Sequence, residues 1–328
     1  MLLAGDLGGT KTNLAIVDPA RGPREPVVEG TLPSGEFPSL EALIAEFLKE
    51  KRVRLRSASL GVAGPVVGGA AKITNLPWVI REEDLVRTFG LRRAHLINDL
   101  EAIACAVPHL EAEDIQTISA GRPVSDGAIG VIAPGTGLGE AFLVCRRGQY
   151  LPQPSEGGHA DFGPANALQR ELLEYLQADG THVSNERVCS GLGIPNLYRF
   201  FKHQGTPEPG WLATRLSTAQ DPTPVIVNAA LQEDPPEITA RTLELFVDIL
   251  AQEAGNLALR VLATGGVYLA GGIPPRLLSV LTPERVLPIF RNKGRLAQLM
   301  DNIPLHVIIN PKTALFGAAY ADLDERLQ

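Results

Sequence analysis

The sequence predicts an α/β protein of two domains. Apolar runs of strand length are interleaved with stretches of helical periodicity along the whole chain, the order of a mixed α/β architecture. The 328 residues exceed the roughly 100–200 that one domain usually holds. Two hairpins, at the very start and at Ile129, share one plan of apolar strand, Gly/Thr-rich turn and apolar strand. They read as an internal repeat, one copy per domain.

Taken in order, residues 2–4 run into Gly5-Asp6-Leu7-Gly8-Gly9-Thr10, and residues 13–17 resume the apolar stretch, giving strand, glycine turn and strand. Leu40, Leu43, Ile44, Phe47 and Leu48 recur at helical spacing, which predicts a helix over 39–48 with Ser39 as N-cap. A strand over 57–63 is closed by Gly64-Pro65. A helix over 82–88, a strand over 94–97 and a helix over 100–107 follow. The second hairpin covers 129–144, with Pro134-Gly135-Thr136-Gly137-Leu138-Gly139 as its turn. Beyond Ala165 helical periodicity dominates, over 167–176 and 239–262. Tyr268-Leu269-Ala270 reads as a short strand ending in Gly271-Gly272, and a strand over 305–309 and a helix over 313–323 finish the chain.

Composition narrows the function. With 45% hydrophobic and 20% charged residues the chain has ample material to bury and is not disordered. The 33 glycines and 26 prolines follow no period and belong in turns and close backbone approaches. A net charge of −7, from 30 basic and 37 acidic residues, repels phosphate backbones, so no nucleic-acid partner is expected. Backbone amides can still hold a small phosphorylated ligand. Cys105, Cys145 and Cys189 are widely spaced without a CxxC pair, which is neither a disulfide framework nor a zinc cluster. No uncharged apolar stretch reaches the roughly 18 residues of a membrane span. The start, Met1-Leu2-Leu3-Ala4-Gly5-Asp6, has no basic region before an apolar one, unlike a signal peptide. A soluble, cytoplasmic protein without membrane association is expected.

Familiar nucleotide signatures are missing. At Gly8-Gly9-Thr10-Lys11-Thr12 a threonine separates glycine from lysine, which breaks the P-loop pattern. Gly135-Thr136-Gly137-Leu138-Gly139-Glu140 fails the dinucleotide fingerprint at its last position. Both turns still offer backbone N–H groups and threonine hydroxyls to a phosphate, although glycine turns commonly do no more than turn. In Leu96-Ile97-Asn98-Asp99-Leu100 an apolar strand ends in two polar residues before a helix. Asp99 is either an N-cap or a general base at the carboxyl end of a strand. Glu156-Gly157-Gly158-His159-Ala160-Asp161-Phe162 places two acids and a histidine around a Gly-Gly hinge, as a polar pocket, a zinc site or a plain surface loop. Glu186 follows Ser184 as an acid in the first turn of a helix.

Read together, these segments resemble the bacterial glucokinase family. The resemblance is carried by residues 5–10, Thr74-Asn75-Leu76-Pro77-Trp78, Ile97-Asn98-Asp99, residues 135–139, Glu156-Gly157-Gly158-His159, Glu186-Arg187 and Ala270-Gly271-Gly272-Ile273, over nearly the whole chain. That family belongs to the sugar-kinase, heat-shock ATPase and actin superfamily. The resemblance implies two ribonuclease H-like α/β domains with an ATP/sugar cleft between them. The small domain would be 1–108 plus 303–328, and the large α+β domain 109–302. It implies transfer of the γ-phosphate of ATP to the 6-hydroxyl of glucose, at the entry to glycolysis, by a cytoplasmic homodimer that uses Mg2+.

Carried over position by position, Asp99 is the implied catalytic base, and Asn98, Asp99, Glu156, His159 and Glu186 are the implied glucose ligands. Carboxylates and amides suit a sugar, since they pair with hydroxyls that an analogue lacks. Asp6, Gly8, Gly9, Thr10, Gly135, Thr136 and Gly137 match the ATP phosphate loops, Gly271 and Gly272 lie in the segment beside adenosine, and Asp6 would hold magnesium through water. Lys11 and Thr12 take no role. The related repressor–open-reading-frame–kinase family adds a cysteine-rich zinc motif that this chain lacks, which leaves His159 for sugar. Bulk at Gly137 is expected to weaken ATP binding and spare glucose.

Overall fold

The computed structural model describes residues 1–73, 76–178 and 180–325. Thr74 and Asn75, which carry part of the resemblance, lie outside the described residues. The first apolar run forms β1 (Leu2–Leu7), in which every residue but Asp6 is buried. The glycine turn leads into β2 (Lys11–Val17), followed by β3 (Val28–Pro33) and β4 (Ser57–Val62). Three short strands, β5 (Val66–Val67), β6 (Ala70–Lys72) and β7 (Val79–Arg81), make a separate small sheet, and β8 (Arg93–Asn98) returns to the main one.

The main sheet has the order β3-β2-β1-β4-β8. The β1–β2 and β2–β3 pairs are antiparallel, and β1–β4 and β4–β8 are parallel. The register sets Asp6 opposite Asn13 and Gly61, and Val62 opposite Asn98. Asp6 and Asn98 therefore stand at the carboxyl ends of parallel strands, where open α/β sheets collect ligands.

Helix Leu40–Leu48 starts as its sequence dictates, with the Ser39 side chain accepting from the Ala42 N–H. Helix Glu82–Phe89 stops at Gly90, which takes a left-handed φ of +61°. The C-terminal helix Thr313–Glu325 crosses helix Asp99–Ala106 closely, since a Cβ at Gly317 would overlap the Ala102 carbonyl. Its Leu315 and Ala319 pack on Leu2, Ala4, Ala15 and Val17. Asp322, fully buried, accepts from Ser57 Oγ at 3.1 Å and Arg93 Nε at 2.8 Å.

The second large sheet comprises β9 (Ile115–Ser119), β10 (Ile129–Pro134), β11 (Leu138–Arg146), β12 (Gln149–Ser155), β13 (Gly266–Leu269) and β14 (Leu305–Ile308). Its order is β12-β11-β10-β13-β14-β9. The β10–β11 pair is antiparallel, while β10–β13 and β13–β14 are parallel. The run β12-β11-β10-β13-β14 thus repeats β3-β2-β1-β4-β8, with β9 added at the edge. The repeat legible in two hairpins is a repeat of whole sheets. Helices Ala167–Gln177, Ile194–His203, Pro222–Ala230 and the 25-residue Glu237–Val261 share one apolar core with this sheet. Among the described residues no helix is long and apolar enough to cross a membrane.

The chain divides into two compact units. One holds Met1–Asp114, Tyr150–Gln153 and the stretch from Asn310, and the other holds Ile115–Gln149 and Pro154–Ile309. The crossings fall at 114/115, 149/150, 153/154 and 309/310, beside the expected 108/109 and 302/303. Two contacts explain the difference. β14 is hydrogen-bonded between β13 and β9, so it stays with the second sheet. Asp114, 1% exposed, accepts from Arg24 Nη1 and Asn310 Nδ2, each at 2.6 Å, which keeps residues 109–114 with the first unit.

Candidate active site

In the first unit, Asp6 Oδ2 accepts from Asn13 Nδ2 at 3.0 Å across the β1–β2 pair. Burial raises the Asp6 carboxyl pKa, against the opposing pull of Asn13 and of the Lys11 charge. The turn that follows needs glycine at its first position. The Gly8 N–H donates to the Lys11 carbonyl at 3.1 Å, and a Cβ at Gly8 would lie 2.9 Å from that same oxygen. Buried Ser34 braces the turn: its Oγ donates to Gly8 O at 2.8 Å and its N–H to Thr10 O at 3.0 Å. Thr12 Oγ1 joins Ser34 Oγ at 3.0 Å. Thr12, without a role in the sequence reading, is thus part of the support for residues 8–10, whose tip leaves Gly9 half-buried and Thr10 exposed.

The structure settles which residue caps helix Asp99–Ala106. Asn98 is the N-cap, with Oδ1 accepting from the Leu100 N–H at 2.9 Å and Nδ2 donating to Gly64 O at 3.1 Å. Asp99 is the first helical residue, and its Oδ1 shares that Leu100 N–H at 2.9 Å. An amide has two N–H groups and two acceptor lone pairs. Asn98 therefore retains an acceptor lone pair, and its side chain also hydrogen-bonds to the Asp99 carboxylate. Burial raises the Asp99 carboxyl pKa, the Leu100 amide opposes that, and the Asp6 charge raises it again. The Asp6 charge reaches Asp99 from the end of β1, with β4 between their two strands.

In the second unit the turn after β10 is held from two sides. The Gly135 N–H donates to Gly137 O at 2.9 Å, while the Gly191 and Leu192 N–H groups donate to Gly135 O at 2.8 Å and Thr136 O at 3.1 Å. Gly271 has φ +81°, and a Cβ there would lie 2.7 Å from Pro134 O. With the Ile273 N–H on Pro134 O at 3.3 Å, residues 270–273 sit beside the 135–137 turn. The fold brings these two nucleotide candidates together.

The same unit assembles the acid–histidine group. His159 Nε2 lies 4.0 Å from Glu156 Oε2, and His159 Nδ1 lies 3.9 Å from Glu186 Oε1. Backbone bonds fasten the two segments, with the Glu186 N–H on Gly158 O at 2.8 Å and the Asn185 N–H on Ala160 O at 2.9 Å. Gly158 is required, since a Cβ would overlap the Leu138 carbonyl. The side chains of Glu156 and His159 are 92% and 59% exposed, open to a ligand rather than packed. Asp161 is engaged elsewhere, 2.6 Å from His182 Nε2.

Glu186 departs from its expected setting. It lies in a turn, not in a first helical turn behind Ser184, because Ser184 is bridged to Asp161 and the next helix begins only at Ile194. Its Oε2 accepts from the Leu138 N–H at 2.9 Å. A Cβ at Gly137 would overlap that Oε2. One carboxylate thus joins the acid–histidine group to the glycine turn, and bulk at Gly137 meets both.

The chain is similar to known proteins over nearly its whole length. The family model for Glucokinase matches residues 3–324. The glucokinase of Trichormus variabilis is 38% identical, over 97% of this chain and 98% of that protein. The crystal structure of a glucokinase from an Antarctic psychrotroph has a TM-score of 0.82 at 32% identity and covers 98% of both chains. The glucokinase of Balamuthia mandrillaris in complex with glucose shares the fold, at TM-score 0.73 and 22% identity, over 98% of this chain and 93% of that one. Family, relative and fold agree over almost the entire length, and the chain belongs to the glucokinase family.

Proposed function

We propose that the transfer of the γ-phosphoryl group of ATP to the 6-hydroxyl of glucose runs through Asp99 as general base. The observation that carries this is the placement of Asp99 at a parallel-strand end, with one oxygen held by the Leu100 N–H and its pKa raised by burial. The Asp99 carboxylate takes the 6-hydroxyl proton while the 6-oxygen bonds to the γ-phosphorus, the bond to the β-bridging oxygen breaks, and ADP leaves. Asn98 offers its amide lone pair to the sugar, and Glu156, His159 and Glu186 accept from or donate to the other hydroxyls. That the Balamuthia glucokinase was crystallised with glucose supports glucose as the sugar. Residues 8–10 and 135–137 present amides to the phosphates, with Gly271 and Gly272 beside the adenosine.

A divalent cation fits the donor set at Asp6. Burial raises the cost of ionising Asp6, and the Asp6 charge raises that of Asp99; a cation relieves both. Among the described residues no three His, Cys, Asp or Glu side chains gather as a metal site, so phosphate oxygens and water would supply most ligands of Mg2+. Bound there, Mg2+ supplies charge neutralisation at the transferring phosphoryl group. Asp6→Asn is expected to lower kcat about tenfold or more and to raise the Mg2+ concentration for half-activity, with glucose binding unchanged by calorimetry. An unaltered Mg2+ requirement would remove Asp6 from the metal. The family resemblance also supports a cytoplasmic homodimer, an assembly that light scattering reads directly. A coupled assay across hexoses and nucleotide donors tests the substrate pair.

A further inference from the structure

β11 buries a carboxyl group that phosphoryl transfer does not need. Glu140 is 1% exposed, and a Cβ at Gly157 would overlap its Oε2, so the carboxyl group lies directly against the residue that follows Glu156. The opposite wall is helix Glu237–Val261, which contributes Glu253 and Arg260. Arg260 Nη1 lies 2.6 Å from Glu253 Oε1 but 3.5 Å from Glu140 Oε2. Asn256 Nδ2 also donates to Glu253, at 2.9 Å. Lys293, from the segment after helix Pro283–Phe290, donates to Asn256 Oδ1 at 2.7 Å and Gln252 O at 3.1 Å, on the Glu253 side of the cluster. From the turn after Glu186, the fully buried Cys189 faces both carboxyl groups, and burial pushes its thiol up to stay protonated. Glu140 Oε1 has no nitrogen or hydroxyl donor, and Glu140 shares a hydrogen bond with Glu253 that only its protonated form can donate.

Two buried carboxyl groups share one close guanidinium, and Glu253 takes the better half of it. Burial and then the Glu253 charge, against Arg260, push Glu140 up to about 8. That push favours the protonated, uncharged form of Glu140.

We propose that Glu140 is a positioning residue for the sugar loop, holding residues 156–159 in their binding arrangement while it is protonated and releasing them when it ionises. The proposal rests on Glu156, His159 and Glu186 being sugar ligands. On ionisation Glu140 can no longer donate to Glu253, and a carboxylate oxygen left without a donor needs water or a cation. Gly157 lies against it, so hydration of Glu140 must displace the loop and the side chains flanking Gly157. Glucose affinity therefore falls as pH rises through the ionisation of Glu140, and ATP affinity does not follow it.

The test is the glucose and ATP KM of the full chain between about pH 6 and about 9.5. For the unaltered protein the glucose KM is expected to rise about tenfold from about pH 7 to about 9.5, with the ATP KM flat. Glu140→Gln, permanently neutral and nearly isosteric, is expected to hold the low glucose KM throughout. The same alkaline rise in Glu140→Gln would overturn the proposal. A second reading needs no variant: calorimetry of glucose binding at about pH 8.5, in buffers of different ionisation enthalpy, should show proton uptake, and none would overturn it as well. Glu156→Ala at neutral pH separates the two layers. Glucose affinity equal to that of the unaltered protein would sink the sugar-site assignment itself, whereas a loss there with an unchanged Glu140→Gln profile would sink only the role of Glu140.

Discussion

Asp99→Asn is expected to lower kcat by about 10²–10⁴-fold and to leave glucose affinity within about tenfold, the usual worth of a general base. The amide oxygen can still accept the Leu100 N–H that Asp99 Oδ1 accepts now. The helix loses no cap, because Asn98 supplies it. What disappears is the capacity to take a proton. The same residue sets an acid limb. The base works only when ionised, and burial and the Asp6 charge raise its pKa. Turnover should therefore fall with decreasing pH at a higher pH than an ordinary aspartate would give. Unaltered turnover in Asp99→Asn would reduce Asp99 to a first-turn helix residue.

The second large effect separates two glycines of one turn. A Cβ at Gly135 has nothing within 4 Å, so Gly135→Ala costs no packing and crowds only an approaching phosphate. It is expected to raise the ATP KM and leave the glucose KM unchanged. At Gly137 the added atoms collide with Glu186 Oε2 and push it off the Leu138 N–H. Gly137→Val should therefore raise both constants, glucose by about 10- to 100-fold, the worth of a charge-assisted hydrogen bond at about 1.5–3 kcal/mol. Normal glucose affinity in Gly137→Val, in a protein that melts as before, would remove Glu186 from the sugar site.

The contrast shows what a sequence exposes. The β1 and β10 hairpins were readable because several of their glycines stand where a Cβ is excluded, and a shared plan of hairpins marked the repeat of sheets. Ser39 was readable as a cap because it acts on Ala42, three residues away. What escaped depends on distant partners. β14 belongs to its sheet through pairing with β13 and β9, which a local apolar run cannot announce. Ser184 has the chemistry of an N-cap, yet its backbone is bridged to Asp161. Thr12 acquires its role from Ser34, on another segment. Asn98 and Asp99 were both identified, but the division of capping between them turned on one shared N–H. Glu140 stood out only as the residue that spoils a glycine fingerprint, since its importance lies in Glu253 and Arg260, more than a hundred positions away.

The most direct measurement is ³¹P NMR of the full chain with ATP, Mg2+ and glucose, with 6-deoxyglucose as the control and Asp99→Asn run beside the unaltered protein. Glucose 6-phosphate and ADP are expected in equal amounts from the unaltered protein, with no sugar phosphate from 6-deoxyglucose and almost none from Asp99→Asn. Phosphate appearing on a different hydroxyl, or ATP consumed with no sugar phosphate formed, would contradict a base at Asp99 aimed at the 6-hydroxyl of glucose.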